Sequence, residues 1–261
     1  MAREAPGLSG GHAHGLYVHA HSRAHRLPPE CKLVALLVFV CAVVVTPKEA
    51  MWAHALHAAL VLGAAASARI PLPFLLRRLG LELPFIAFAL FLPFVSGGPS
   101  IDIGPLAVSR AGLWGAWGVI VKATLGLAAS ILLAATTSST EILRGLERLR
   151  VPRALTAIAG FMVRYADVVT GEVRRMSVAR QSRAYDPRWL WQARAVAASA
   201  GALFIRSFER GERVYLAMVS RGFDGTLPSP AVPAAPARAW VAALSVPVLA
   251  VLAAAAARWA V

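Results

Sequence analysis

Charge is scarce in this chain, and lysine is the scarcest charged residue. Only 15% of the 261 residues are charged, and just three are lysine: Lys32, Lys48 and Lys122. These follow Cys, Pro and Val, so there is no G-x-x-x-x-G-K-[ST] phosphate loop and a P-loop ATPase is excluded. Cysteine is almost as rare. Cys31 and Cys41 offer neither a disulfide framework nor zinc spacing. No Ser/His/Asp, H-E-x-x-H or CxxC arrangement occurs, and the few acids of the basic region have arginines near them, so an enzyme has no site to stand on. The first thirty residues are polar and lack an apolar run ending in small residues, so no cleavable signal peptide is expected.

What remains is apolar. Hydrophobic residues make up 58% of the chain and the mean hydropathy is +0.62, values that point to an integral membrane protein. The net charge of +14 is gathered into a few stretches, above all 141–221. In so apolar a chain that pattern reads as the positive-inside bias of a membrane protein and not as a nucleic-acid surface.

Taken in order, the tail before residue 33 is rich in Gly, His and Pro. His12, His14, His19 and His21 alternate within it, and imidazole suits cobalt or nickel. Nothing fixes their geometry, so a flexible tail making weak metal contacts at most is the favoured reading. Apolar runs at 33–45 and 51–66 each fall short of the roughly 20 residues of a straight span. They are expected to form a helical hairpin. His54 and His57, three apart in the second run, are expected to be buried hydrogen-bonding residues rather than metal ligands. Pro71, Pro73, Arg77 and Arg78 suggest a basic connector, followed by an apolar stretch at 83–95 broken by Pro84 and Pro93. A Gly/Pro-rich loop at 96–110 carries little positive charge, which places it outside.

The best span is 113–135, about 34 Å long at 1.5 Å per residue. Its start alternates small residues with Trp114 and Trp117, a face for another helix, either of this chain or of a second membrane subunit. Lys122 inside it is costly unless it faces protein or water. Ser138 with Glu141 fits a capping box, so a new helix starts there. From Glu141 to the Pro/Ala-rich linker at 227–236 the chain alternates apolar and basic residues at helical spacing, and a last apolar run follows at 240–257.

The expected fold is therefore an all-α integral membrane protein with about five transmembrane helices and a cytoplasmic module of long amphipathic helices inserted before the last span. The divisions are a tail at 1–32, membrane helices at 33–136, the module at 137–238 and the last helix at 239–261.

Within the module one pattern occurs twice. Ser182-Arg183-Ala184-Tyr185-Asp186 returns 38 residues later as Ser220-Arg221-Gly222-Phe223-Asp224. Each is small residue, arginine, small residue, aromatic, aspartate. Small neighbours leave a guanidinium free to enter a groove and pair with a carboxylate. Ordinary basic residues on a cytoplasmic loop are the plainer reading.

These residues resemble the transmembrane T component of energy-coupling factor transporters, in its cobalt/nickel branch, the cobalt-transport Q subunit. The likeness runs through Leu16-Tyr17-Val18, His25-Arg26-Leu27 through Lys32-Leu33, the stretch from Glu141-Ile142-Leu143-Arg144 to Val151-Pro152, Arg206-Ser207-Phe208-Glu209-Arg210, the run from Val214 to Asp224 and the two arginine boxes. It implies a non-catalytic permease subunit of the inner (plasma) membrane, with its N-terminus and coupling module cytoplasmic. It implies two ABC-type ATPase partners that hold the ATP and Mg, no cofactor on this chain, and a separate membrane subunit that captures Co²⁺ or Ni²⁺. Arg183 and Arg221, flanked by Ser182, Ala184, Ser220 and Gly222, become the ATPase-coupling residues. The first box has Ser and Ala where the family favours Ala and Gly. Three alternatives stand beside this reading: a T component serving vitamins, a stand-alone secondary transporter, and a membrane anchor whose basic module binds anionic lipid.

Overall fold

A computed structural model describes residue 22, residues 24–97, 100–103, 106–183, 185, 193–225 and 234–260. The fold is all-α, apart from one short hairpin, and divides into two compact units.

The larger unit comprises Leu16–Leu149 and Pro233–Val261. Its helices are α1 (Pro29–Val45), α2 (Met51–Ser67), α3 (Leu72–Leu79), α4 (Leu83–Val95), α5 (Arg110–Thr136), α6 (Ser139–Arg148) and α9 (Ala237–Ala260). Pro29 starts α1 in the first turn, where a missing N–H costs nothing. Thr46 ends it, its hydroxyl returning to the Ala42 carbonyl at 2.8 Å. The segment expected as a basic connector is instead helical. α3, a 3₁₀ turn at Gly80–Glu82 and α4 run on as one apolar helix, Leu72–Val95. Pro73 and Pro84 do not break it because each falls in the first turn of its helix, where no intrahelical N–H is lost, and Pro93, also expected as a break, stands inside α4 near its end.

Among the described residues, three helices are long and apolar enough to cross a membrane: Leu72–Val95, Arg110–Thr136 and Ala237–Trp259. α1 and α2, with 17 residues each, are about 25 Å long against a hydrocarbon core of about 30 Å. α1 packs chiefly on α9 and also on α5 and α6. Phe39, Val43, Val61, Leu125, Ile131 and Ala250 form the main core. Alanines line the seam of α9 (Ala243, Ala250, Ala253, Ala254 and Ala257 are all buried), so backbones approach closely, which is how helices associate where lipid offers no hydrophobic drive.

The expected loop at 96–110 contains an antiparallel hairpin, β1 (Ser100–Ile103) with β2 (Leu106–Ser109), in register Ser100↔Ser109 and Ile103↔Leu106. Ser109 then caps α5, its hydroxyl accepting the Gly112 N–H. The small-residue start of α5 packs within the chain. A Cβ on Gly112 would lie 2.6 Å from the Pro93 Cα, and one on Gly115 would lie 3.2 Å from Leu92. Lys122 donates to the Val44 carbonyl at 2.8 Å, one of the open carbonyls at the C-terminal end of α1. His54 and His57 are buried, as expected: a ring nitrogen of His54 meets the Ala50 carbonyl at 3.0 Å, and His57 Nε2 meets that of Ala250 at 3.1 Å, tying α2 to α9.

One junction closes this unit. Glu30, only 3% exposed, pairs with Arg148 of α6. Lys32 donates to the Thr136 carbonyl at 2.9 Å and to Thr137 Oγ1 at 3.2 Å. The Ser138–Glu141 capping box is formed in both directions. Gly145 sits so close to α1 that an added Cβ would be 2.9 Å from Leu33 and 3.1 Å from the Glu30 nitrogen. Removing one member of a buried pair strands the other charge. Arg148→Leu should therefore cost about 3 kcal/mol, and combining it with Glu30→Leu should recover most of that loss, read as melting temperature in detergent.

Candidate functional site

The second unit carries the arginine boxes on α7 (Arg153–Ser182) and α8 (Ala193–Val219). α7 is a single helix of 30 residues that runs unbroken through Gly160 and Gly171. Glu172 joins the two helices, accepting from Arg175 and from Arg206, each at 2.6 Å. Those two guanidiniums, Arg175 first, hold its carboxyl below the usual carboxylate range. A cavity of about 300 Å³ continues along the pairing, lined by Phe161, Tyr165, Val169, Arg210, Val214 and Met218. Phe161 and Tyr165 stack at its wall, 6.5 Å between ring centres.

Both boxes are helix ends. At the second, the Phe223 N–H reaches the Met218 carbonyl at 3.0 Å and the Gly222 N–H reaches that of Val219 at 2.9 Å. That is the Schellman cap, and it needs a residue in the left-handed region between Arg221 and Phe223. Gly222 fills that place with φ of +83°. At the first, the Tyr185 N–H reaches the Arg180 carbonyl at 3.1 Å in the same five-residue step, and the Arg183 N–H reaches that of Arg180 at 3.0 Å. Ala184, the counterpart of Gly222, lies outside the described residues. The hydroxyls of Ser182 and Ser220 turn back to the Val178 and Ala217 carbonyls, each at 3.0 Å, so they finish the helices and leave the arginines uncovered. Arg183 and Arg221 are both exposed, and among the described residues neither has a side-chain ion pair. Each sits at the negative end of a helix dipole, which favours a cation there. The tail histidines His12, His14, His19 and His21 lie outside the described residues.

The sequence reading missed a surface. Phe204, Ile205, Phe208, Tyr215, Leu216 and Val219 are all exposed, Phe204 by 73%. At 100° per residue they fall within an arc of about 120° on α8, a continuous apolar stripe interrupted by Glu212. The signal was present as apolar residues at steps of four, seven and eleven, masked by the arginines on the other faces. The stripe ends at the second box.

Residues 20–232 match the family model described as CbiQ, cobalt transport protein. The chain is 26% identical over 226 residues to the energy-coupling factor transporter transmembrane protein EcfT of Listeria innocua, covering 81% of this chain and 84% of that one. It is also 26% identical over 225 residues to EcfT of Bacillus subtilis, with the same coverage. To the cobalt transport protein CbiQ of Rhodobacter capsulatus it is 28% identical over 164 residues, 61% of this chain and 64% of that one.

A carboxyl lowered in the folded state stabilises above its ordinary range and loses that contribution as pH falls through the lowered value. Spin labels on exposed positions of α7 and α8 should therefore keep a fixed separation near neutral pH and spread in acid. Glu172→Gln should show the spread distribution at every pH.

Proposed function

Since the chain belongs to the cobalt transport protein family, CbiQ, we propose that it is the transmembrane coupling subunit of an ATP-driven importer of Co²⁺ or Ni²⁺. It is a membrane-embedded transport subunit. In this reading two ABC-type ATPase subunits supply the hydrolysis and hold ATP and Mg, a separate membrane subunit captures the ion, and the arginine boxes face the cytoplasm of a cell bounded by its inner membrane. Arg183 and Arg221 each enter a carboxylate-bearing groove on one ATPase.

The observation that carries the reading is the matched pair of exposed arginines at two capped helix ends. The cap accounts for the small residues and for Gly222, but not for arginine, since any side chain is tolerated at the position before the left-handed residue. A fork held at a rigid helix end loses little entropy on pairing with a carboxylate. The apolar stripe beside the second box supports a partner at the same end of α8. The two EcfT relatives, whose names carry no substrate, align over more of the chain than the Rhodobacter cobalt protein does, and a T component serving vitamins is the second reading. Uptake of Co²⁺, Ni²⁺ and vitamins by the reconstituted complex decides between these substrates.

Breaking one side of a desolvated Arg–carboxylate pair costs about 2–5 kcal/mol. Arg183→Ala and Arg221→Ala should therefore impair co-purification of the ATPases or uncouple ATP hydrolysis from uptake. Arg→Lys at either position keeps the charge at the helix dipole but not the bidentate fork, so it should preserve the melting temperature and still lower coupling. Full complex recovery and transport in both alanine variants would sink the assignment. Transport by the chain alone in vesicles, without ATP or partners, would replace it with a secondary transporter.

A further inference from the structure

Between α1, α2, α5 and α9 lies a cavity of about 510 Å³. Its wall is apolar over most of its length, including Leu36, Phe39, Leu60, Ala64, Leu132 and Val246. Only one end is polar, where Lys32, Ser67 and Thr136 line it. Lys32 there donates to neutral acceptors, the His25 and Thr136 carbonyls and Thr137 Oγ1, and the Glu141 carboxylate that caps α6 acts on it at longer range. Two exposed arginines flank that end: Arg26, between the lining residues Ala24 and Leu27, and Arg69, two residues beyond the lining Ser67. Of the nearby acids, Glu30 is paired with Arg148, so the cations outnumber the one acid that reaches Lys32.

Arg69 is itself anomalous. It closes α2 in the same cap as Gly222, with its N–H on the Ala66 carbonyl and that of Ile70 on the Ala65 carbonyl, both at 3.0 Å. Its φ is +57°, a conformation that disfavours any residue bearing a Cβ and that glycine adopts freely. The chain nonetheless places a cation there.

We propose that this cavity holds one acyl chain of an anionic phospholipid, with the phosphate held at the rim by Arg69, Arg26 and the charge of Lys32. From Lys32 to Phe39 the cavity runs about 10 Å along α1, and no acid is among the residues that line it. Apolar depth with a cationic rim at one end is the chemistry of a fatty chain carrying a negative head.

The test uses the full chain purified in a neutral detergent and probed with phosphatidylglycerol, phosphatidylcholine and inorganic phosphate. Wild type should retain one phosphatidylglycerol in native mass spectrometry and melt higher with it than with phosphatidylcholine. Phosphate alone should have no effect. Arg69→Gly should weaken phosphatidylglycerol about fivefold, the loss expected from one cation at a membrane surface. Its lipid-free melting temperature should not fall, because glycine suits the left-handed cap. Gly63→Leu tests the chain site independently. Gly63 lines the cavity, and a Cβ there meets no atom within 4 Å, so a longer side chain starts into open space and should abolish retention with the rim intact. Equal retention of phosphatidylcholine, or unchanged phosphatidylglycerol binding in Gly63→Leu, overturns the proposal. So does protection of a Cys placed at Gly63 by a partner protein when no lipid is bound.

Discussion

The membrane unit is organised around a buried carboxylate. Glu30 sits in the first turn of α1 at 3% exposure, where an unpaired charge would cost several kcal/mol. Its partner is on α6, more than a hundred residues away, so α6 must close against the foot of α1. Each further feature of the junction serves that closure. The capping box fixes where α6 starts, Gly145 removes the Cβ that would hold the helices apart, and Lys32 ties the end of α5 to α1. The stretch from Glu141 to Pro152, one of those that carry the family resemblance, thus also builds a packing joint.

The two arginine boxes separate into a part that backbone physics explains and a part that it does not. A Schellman cap requires one left-handed residue and benefits from an apolar residue after it. That accounts for Gly222 and Phe223 and for the aromatic Tyr185 in the first copy. The arginine gains from the helix dipole by about 0.3–1 kcal/mol, which is available equally to lysine. Both copies use arginine, exposed and side-chain unpaired among the described residues. What exceeds the cap is therefore the guanidinium itself, the group that recognises a carboxylate by two parallel hydrogen bonds.

Much of this was legible in the sequence because it depends on local rules. The capping box at Ser138, the proline start of α1, the long span of α5 and the helical ends at the boxes all follow from residues within a few positions of one another. The errors arose where two local rules compete. Pro84 and Pro93 read as breaks, yet Pro84 falls in a first turn and Pro93 stands inside α4 near its end, so 72–95 continues as a helix. The hairpin at 100–109 has too little alternation to announce itself. The Glu30–Arg148 pair, the Lys122–Val44 contact and the cavity beside Lys32 depend on which helices become neighbours, and no periodicity encodes that. The stripe on α8 was legible in principle; its arginines drew attention to the wrong faces.

The energetics of α7 and α8 lead to the same conclusion as their chemistry. These helices are 30 and 27 residues long, yet among their described residues only Thr156 of α7 is buried. Apolar burial at about 25 cal/mol per Å² is what normally fixes helices in place, and here most of the large apolar side chains remain exposed. What holds the pair is mainly polar and local: the Glu172 fork, the helix ends and helical propensity. Contacts of that kind are weak where solvent reaches them, so they set how the helices pair near neutral pH without the reserve that an apolar core would add. Two long helices with an exposed apolar stripe and, among the described residues, arginines without ion pairs at their ends have the surface that the proposed function requires, and the stability they lack alone is what a bound partner would supply.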